Sequence, residues 1–326
     1  MSSIIDCASW ISLNTLKLLS CVLLLFFTVS ATIFTEASKL ESGAYPYNTF
    51  VLLFAAEVLK LLTASTMLAF EHASRKSKVS FISMHGFWRY SIPAFCYFVS
   101  NNCMFYIIQH LGATTFQIMN NLKVLSTAVF MQIFLGRRLT WMQWKALMIL
   151  TIGSMVTQLS GEVNQVSTAS TSPLIGYSLV IISAMAAGAG GVFSEKLLKN
   201  KLTIESKNAC EQEVSIHWQN MQLYVFGVMF GLISFQMGAS GSVSPSNLFR
   251  GFNSFAYATL GNLVVCGLLV SFILKYLDNV AKCFCGALSM LCVAILDAAM
   301  KRAAIPLRIV LGFILTGLAL EQYNLS

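Results

Sequence analysis

Ten stretches of about 20 mostly apolar residues follow one another along this chain. A helix needs roughly that length to cross the hydrocarbon core of a bilayer. Lipid offers no partner to backbone N–H and C=O groups, so a spanning segment must satisfy them internally, as a helix does. The runs lie near 13–35, 47–70, 90–110, 114–136, 141–160, 174–198, 216–237, 254–276, 280–299 and 304–323. The clearest connectors, 71–89, 161–173, 199–215 and 238–253, are rich in Ser, Gly, Asn or charge. The expected fold is an all-α polytopic membrane protein.

Composition narrows the class further. Only 10% of the 326 residues are charged and the mean hydropathy is +0.72, against about 25% charged in soluble domains. That excludes an ordinary soluble protein, and the abundance of Leu, Phe, Ile and Val excludes disorder. The first apolar run has no convincing cleavage site and is read as a retained span. The net charge of +8 sits in short connectors, where it sets topology rather than marking a nucleic-acid surface.

The charges also orient the chain. Lys39, Arg250, Lys301, Arg302 and Arg308 fall on one side of the ten spans, Lys60 and Lys123 fall within them, and the rest of the 21 basic residues fall on the other side. The positive-inside rule therefore predicts both termini in the cytosol, with the cluster at 301–308 running against it. A faint internal match supports ten spans. Arg137-Arg138, Gly153 and Gln158 recur as Lys301-Arg302, Gly317 and Gln322, and Leu111-Gly112-Ala113 faces Leu277-Asp278-Asn279. Each half then holds five spans, an odd number, so the halves run in opposite directions through the membrane. The expectation is one transmembrane transporter domain over 1–326. Its ten transmembrane helices form two inverted five-helix repeats, the first about 13–160 and the second about 174–323.

Polar residues inside the apolar runs are the candidates for function, because an intramembrane charge costs about 2.5–3.5 kcal/mol on insertion scales. Lys123 lies near the middle of the fourth run, with Gln117, Asn120 and Asn121 within two turns and no carboxylate one turn away. Lys60 lies three residues after Glu57, within salt-bridge reach, which a purely structural ion pair would also explain. Asn101 and Asn102 interrupt the third run. Asn220 and Tyr224 are four apart on one face of the seventh, and Ser271 lies one turn before Lys275. Lys275 and Lys282 bracket a tight turn, where snorkelling to the interface is the simpler reading. Lysine outnumbers acid at these positions. That favours an anionic ligand, with lysines as point charges for phosphate and Asn and Tyr hydrogen-bonding a base or sugar. The small-residue run AMAAGAGG (184–191) permits close helix packing, or a hinge.

Other chemistries find no footing. His72, His85, His110 and His217 are scattered, and the chain has no HExxH, GxSxG, P-loop or paired intramembrane aspartates, so no enzyme is expected. Cys21, Cys96, Cys103, Cys266, Cys285 and Cys292 lie in apolar runs without metal-ligand spacing, and no cofactor or metal is expected. The sequon at Asn324–Ser326, on the expected cytosolic side, carries no weight.

Six segments in order, AAEVLKLL (55–62), NN (101–102), TTFQIMNNLK (114–123), GGVFSEKLLK (190–199), WQNMQLYVFG (218–227) and LLVSFILKYLDNVAK (268–282), resemble the nucleotide-sugar transporters. The resemblance is to the CMP-sialic acid, UDP-galactose and UDP-N-acetylglucosamine branch of the drug/metabolite transporter superfamily, and covers about residues 47–300. It implies ten helices in a Golgi or endoplasmic reticulum membrane. It also implies exchange of a cytosolic nucleotide sugar for a lumenal nucleoside monophosphate by alternating access. The motif positions that hold nucleotide in similar proteins fall on Lys60, Gln117, Lys123, Asn220, Tyr224, Ser271 and Lys282. Phe116 and Asn120 stand where similar proteins often carry tyrosine, which leaves the base and the sugar open. The segment DAAMKRAAIPLRIV (297–310) is more charged than the family's final connector, and Asp297 and Lys301 are at i,i+4 spacing. The expected partners are these nucleotides and the lipid bilayer, with no nucleic acid, and self-association or association with glycosyltransferases is left open. Two alternatives stand beside this reading: another carrier of the superfamily for a phosphorylated or small organic metabolite, and a non-transporting scaffold for glycosyltransferases.

Overall fold

A computed structural model describes residues 2–40, 45–74, 84–111, 113–159, 173–199, 215–238, 248–300, 302 and 304–325. These form helices α1 (Ser2–Ala37), α2 (Thr49–Ser74), a short α3 (Met84–Phe87) continued by a 3-10 turn, and α4 (Ser91–Leu111). There follow α5 (Ala113–Met119), α6 (Leu122–Leu135), α7 (Trp141–Gln158), α8 (Pro173–Lys199) and α9 (Ile216–Gly238). The chain ends with α10 (Ser254–Tyr276), α11 (Asn279–Met300) and α12 (Leu307–Asn324). The described residues contain no strand. Among the described residues, seven stretches are long and apolar enough to cross a membrane by length and composition: Thr15–Ala37, Thr49–Ala73, Trp88–Ile108, Thr115–Leu135, Leu174–Lys199, Ser254–Tyr276 and Asn279–Met300. Helices α7, α9 and α12 occupy the other three apolar runs and are diluted by residues such as Gln143, Lys145, Gln219, Asn220, Gln222 and Glu321. In α9 the cause is visible, since Gln219, Asn220 and Gln222 are buried within the protein.

Local chemistry explains the ends of these elements. Thr140 caps α7 through a reciprocal box with Gln143, Asn253 caps α10 by accepting from the Ala256 N–H, and Gly136 closes α6 in the left-handed conformation, φ +65°. Gly251, φ +84°, lies with its backbone directly against the Pro46 carbonyl and joins the α1–α2 connector to the start of α10. A side chain there would meet backbone, which cannot move aside. Gly251→Val is therefore expected to cost about 1–3 kcal/mol, read as a lower melting midpoint of the detergent-purified protein.

Two expectations from the sequence are corrected. The run 114–136 is not one helix. The Asn121 side chain donates to the Gln117 and Ile118 carbonyls at 3.1 Å, and the backbone there tightens to i→i−3 bonds such as Asn121 N to Ile118 O at 3.3 Å. Side-chain competition for carbonyls thus breaks the ladder between α5 and α6. The supposed continuous polar face is split: Asn121 is buried, Gln117 exposed, and Lys123 opens α6 rather than sitting mid-helix. Conversely, Asn101 and Asn102 do not interrupt α4, because the Asn102 amide donates back to the Phe98 carbonyl at 2.8 Å. The Asp297–Lys301 pairing lies outside the described residues at Lys301, and the connectors 161–172 and 200–214 lie outside them entirely.

Lipid tails are as apolar as leucine, so helix association here depends on close packing more than on the hydrophobic effect. The small residues of α8 serve that packing. A β-carbon on Gly188 would enter the α6 backbone at Thr127, and one on Gly190 would lie 3.0 Å from Cys96 of α4. Gly153 of α7 similarly faces Gly312 and Leu315 of α12. Helices α2, α9, α4, α8 and α10 each pack on the next and close a ring.

Candidate functional site

Inside that ring lies a cavity of about 420 Å³, within the range of small-molecule sites, about 300–1,000 Å³. Its walls are aromatic, from Phe50, Phe54, Tyr97, Phe98, Tyr224 and Phe230. Polar groups reach it from every helix of the ring and from α11. They are Glu57 and Lys60 (α2), Asn101 and Asn102 (α4), Ser194 (α8), Tyr224 (α9), Ser271 (α10) and Lys282 (α11).

Lys60 forms an ion pair with Glu57 one turn back on α2. Its ammonium also stands 5.2 Å from the centre of the Tyr224 ring, a cation–π arrangement. Two glycines make the room. A β-carbon on Gly267 of α10 would come within 2.6 Å of the Lys60 stem, and one on Gly227 of α9 within 2.6 Å of the Glu57 carboxylate. The pair is thus slotted between two bare patches of backbone. Gly267→Leu is expected to displace the Lys60 stem and weaken ligand binding at least about tenfold, the loss of one hydrogen bond to a charged group, while the far-ultraviolet circular dichroism stays helical. Tyr224 is buried and its hydroxyl lies 3.5 Å from that of Ser271, which donates to the Gly267 carbonyl at 3.2 Å.

Of the seven residues expected from sequence, Lys60, Tyr224, Ser271 and Lys282 line this cavity. Asn220 is buried one turn from Tyr224, and its side-chain oxygen has no hydrogen-bond partner. Lys123 is an electrostatic neighbour of Lys282. Gln117 is exposed on α5 and is not among the lining residues. Lysines therefore outnumber carboxylates around the cavity, with Glu57 as the lining acid. Apart from Tyr224, the aromatic wall and Ser194 were not singled out in the sequence, because aromatics and serines are too common in apolar helices to stand out. The spacing of Gly227 and Gly231, small residues four apart on α9, was a readable sign of close helix approach.

One end of the ring is tied by polar bonds. Glu195 of α8 is buried and receives Lys199 at 2.7 Å and the Asn279 backbone N–H at 2.9 Å, so it binds the first turn of α11. Lys199 also donates to the Leu277 carbonyl at the end of α10. Arg137, just beyond α6, reaches Asp278 at 2.9 Å, and Gln219 of α9 donates to the Leu197 carbonyl at 3.1 Å. At the other end, Asn253 donates to the Ser38 carbonyl at 3.1 Å, and the Ser38 hydroxyl meets that of Tyr47 at 2.8 Å.

A bundle of apolar helices around a cavity that two lysines line defines a multi-pass membrane protein with room for a small molecule among its helices. The comparisons with known proteins give the family. The model of the nucleotide-sugar transporter family matches residues 12–324, and the chain belongs to that family. It is 30% identical over 307 residues to the CMP-sialic acid transporter 1 of Oryza sativa subsp. japonica, covering 92% of each chain. It is 29% identical over 290 residues to the UDP-N-acetylglucosamine transporter of Rattus norvegicus, covering 85% of each. A UDP-galactose/UDP-N-acetylglucosamine transporter of Caenorhabditis elegans is 33% identical over 200 residues, 61% of this chain and 51% of that one. A solved crystal structure shares the fold at 13% identity, with a TM-score of 0.68 over 95% of this chain and 97% of the other. The chain is a transporter and not an enzyme.

Proposed function

We propose that this transporter moves a UDP- or CMP-sugar from cytosol to lumen of the Golgi and returns the nucleoside monophosphate by alternating access. The observation that carries the reading is the charge balance of the cavity. Lys282 lines it without an ion-pair partner among the described residues, Lys123 is its electrostatic neighbour, and the Lys60 charge is shared with Glu57. A phosphoryl group held by Lys123 and Lys282 offsets their repulsion, while Asn220, Tyr224 and Ser271 address the nucleoside and Gln117 approaches only in another conformation. An empty cavity keeps those charges unpaired and resists occlusion, which makes exchange obligatory.

Alternating access of this kind goes with ten spans in two inverted repeats, α5 and α6 together making one broken span, and both termini in the cytosol. The packing supports that reading. Helix α2 packs on its counterpart α9, and α7 on its counterpart α12. Helix α4 packs on α8 as α10 packs on α1, and α6 packs on α8 as α11 packs on α1.

The test is thermal stabilisation of purified protein by nucleoside monophosphates and nucleotide sugars. A ligand at 100 times its dissociation constant adds about 2.7 kcal/mol, so CMP or UMP, with the matching sugar conjugate, should raise the melting midpoint while free sugar phosphates do not. In proteoliposomes, uptake of the conjugate should require preloaded monophosphate. Equal uptake into empty vesicles would sink the exchange reading.

A further inference from the structure

Most buried hydroxyls in these helices bond back to their own helix, and Ser183 instead meets Ser100 of α4. Thr151, Ser154, Thr157, Thr259, Ser271 and Ser289 each donate to a carbonyl four residues earlier, and Ser126 reaches both the Lys123 carbonyl and, across on α8, the Ala184 carbonyl at 2.6 Å. That is the default where lipid or packed side chains offer nothing better. Ser194 departs from it. It is 3% exposed, its hydroxyl has no hydrogen-bond partner, and it lines the cavity. Thr316 is also unpartnered, but it lies on α12 away from the cavity lining.

The surroundings of Ser194 carry a second sign of the same kind. Gly191 is one turn before it on α8, hence on the same face. Over Gly191 lie two side chains of α11: the Asn279 amide oxygen and the Lys282 ammonium are each 2.9 Å from the point a Gly191 β-carbon would occupy. Asn279 is fully buried, and both polar atoms of its amide lack a partner. An amide or hydroxyl buried without a partner is costly, since it has given up its water and gained nothing in return. Two cavity-lining donors, the Ser194 hydroxyl and the Lys282 ammonium, are thus set on and over one turn of α8, beside an Asn279 amide with no partner of its own.

We propose that Ser194 is a further ligand-binding residue, which with Lys282 forms an oxyanion subsite for the phosphoryl group of a nucleotide. The proposal rests on the nucleotide reading above and adds to it a hydroxyl from the first half of the α8–α11 contact. Ser194 then discriminates nucleotides from nucleosides: it contributes only when a phosphoryl oxygen is present to accept.

The experiment measures displacement of a tritiated nucleoside monophosphate from the purified protein by unlabelled CMP, UMP, cytidine and uridine, in wild type, Ser194→Ala and Ser194→Thr. The expected result is a loss of about tenfold or more for CMP and UMP in Ser194→Ala, the scale of a hydrogen bond to a charged group. Cytidine and uridine should be unchanged, which also reports a folded site, and Ser194→Thr should recover nucleotide binding. Equal losses for nucleotide and nucleoside, or no loss for either, overturn the subsite and leave the transport reading standing. A wild-type protein that binds no nucleotide overturns both.

Discussion

Lys282→Ala is expected to lower affinity for CMP or UMP about 100-fold, and to remove the thermal stabilisation those ligands produce. Lys282 lines the cavity and has no ion-pair partner among the described residues, so its charge is available to a ligand. Truncating one member of a buried, hydrogen-bonded charge pair costs about 2–5 kcal/mol, and 100-fold lies at the low end. The apo protein behaves in the opposite way. Removing a half-buried cation whose charge opposes that of Lys123 relieves repulsion, so Lys282→Ala without ligand should melt no lower than wild type. The two readings together, weaker binding and undiminished apo stability, separate a ligand-binding lysine from a structural one. A variant that melts early and still binds would remove Lys282 from the site. Titration calorimetry alongside a melting curve decides the matter.

The largest stability effect is expected at the tied end of the ring. In Lys199→Ala, the Glu195 carboxylate, 1% exposed, keeps only the Asn279 N–H. Breaking a buried pair in this way costs about 3–5 kcal/mol, and the low end applies because Lys199 is 34% exposed. Glu195→Gln removes the charge but keeps an oxygen for the Asn279 N–H, and should cost about 1 kcal/mol. The diagnostic is their combination. Glu195→Gln with Lys199→Ala should melt higher than Lys199→Ala alone, because no buried charge is then left uncompensated. A neutral Lys199→Ala would mean that the tie between α8 and the α10–α11 turn holds nothing together.

Much of this was legible along the chain. Apolar run length located every long helix, because in lipid the backbone has no other way to satisfy itself. Glu57 and Lys60 announced their pairing by spacing alone, since residues three apart on a helix are neighbours whatever surrounds them. Lys282 and Tyr224 stood out because a polar group in an apolar run needs a reason. The break at Asn120–Asn121 was not legible: an asparagine in a helix either turns to solvent or captures a carbonyl, and only the surroundings choose. Gln117 lies outside the cavity lining for a related reason: a break a few residues away changes which way a side chain faces.

The sequence by itself determined the class of protein, the positions of its long apolar runs and, through six short segments in order, its family. These are properties of single helices and their composition, which the solvent selects one segment at a time. Only the tertiary structure decided which of the polar residues share a cavity, because that depends on how helices distant in sequence rotate against one another. Gly227 and Gly267 leave the slot that holds the Glu57–Lys60 pair, and Gly191 leaves the patch over which Lys282 lies. Ser194 acquired its interest only when its neighbours were known, since a hydroxyl that bonds its own helix and one that waits for a ligand are the same residue until the space beside it is seen.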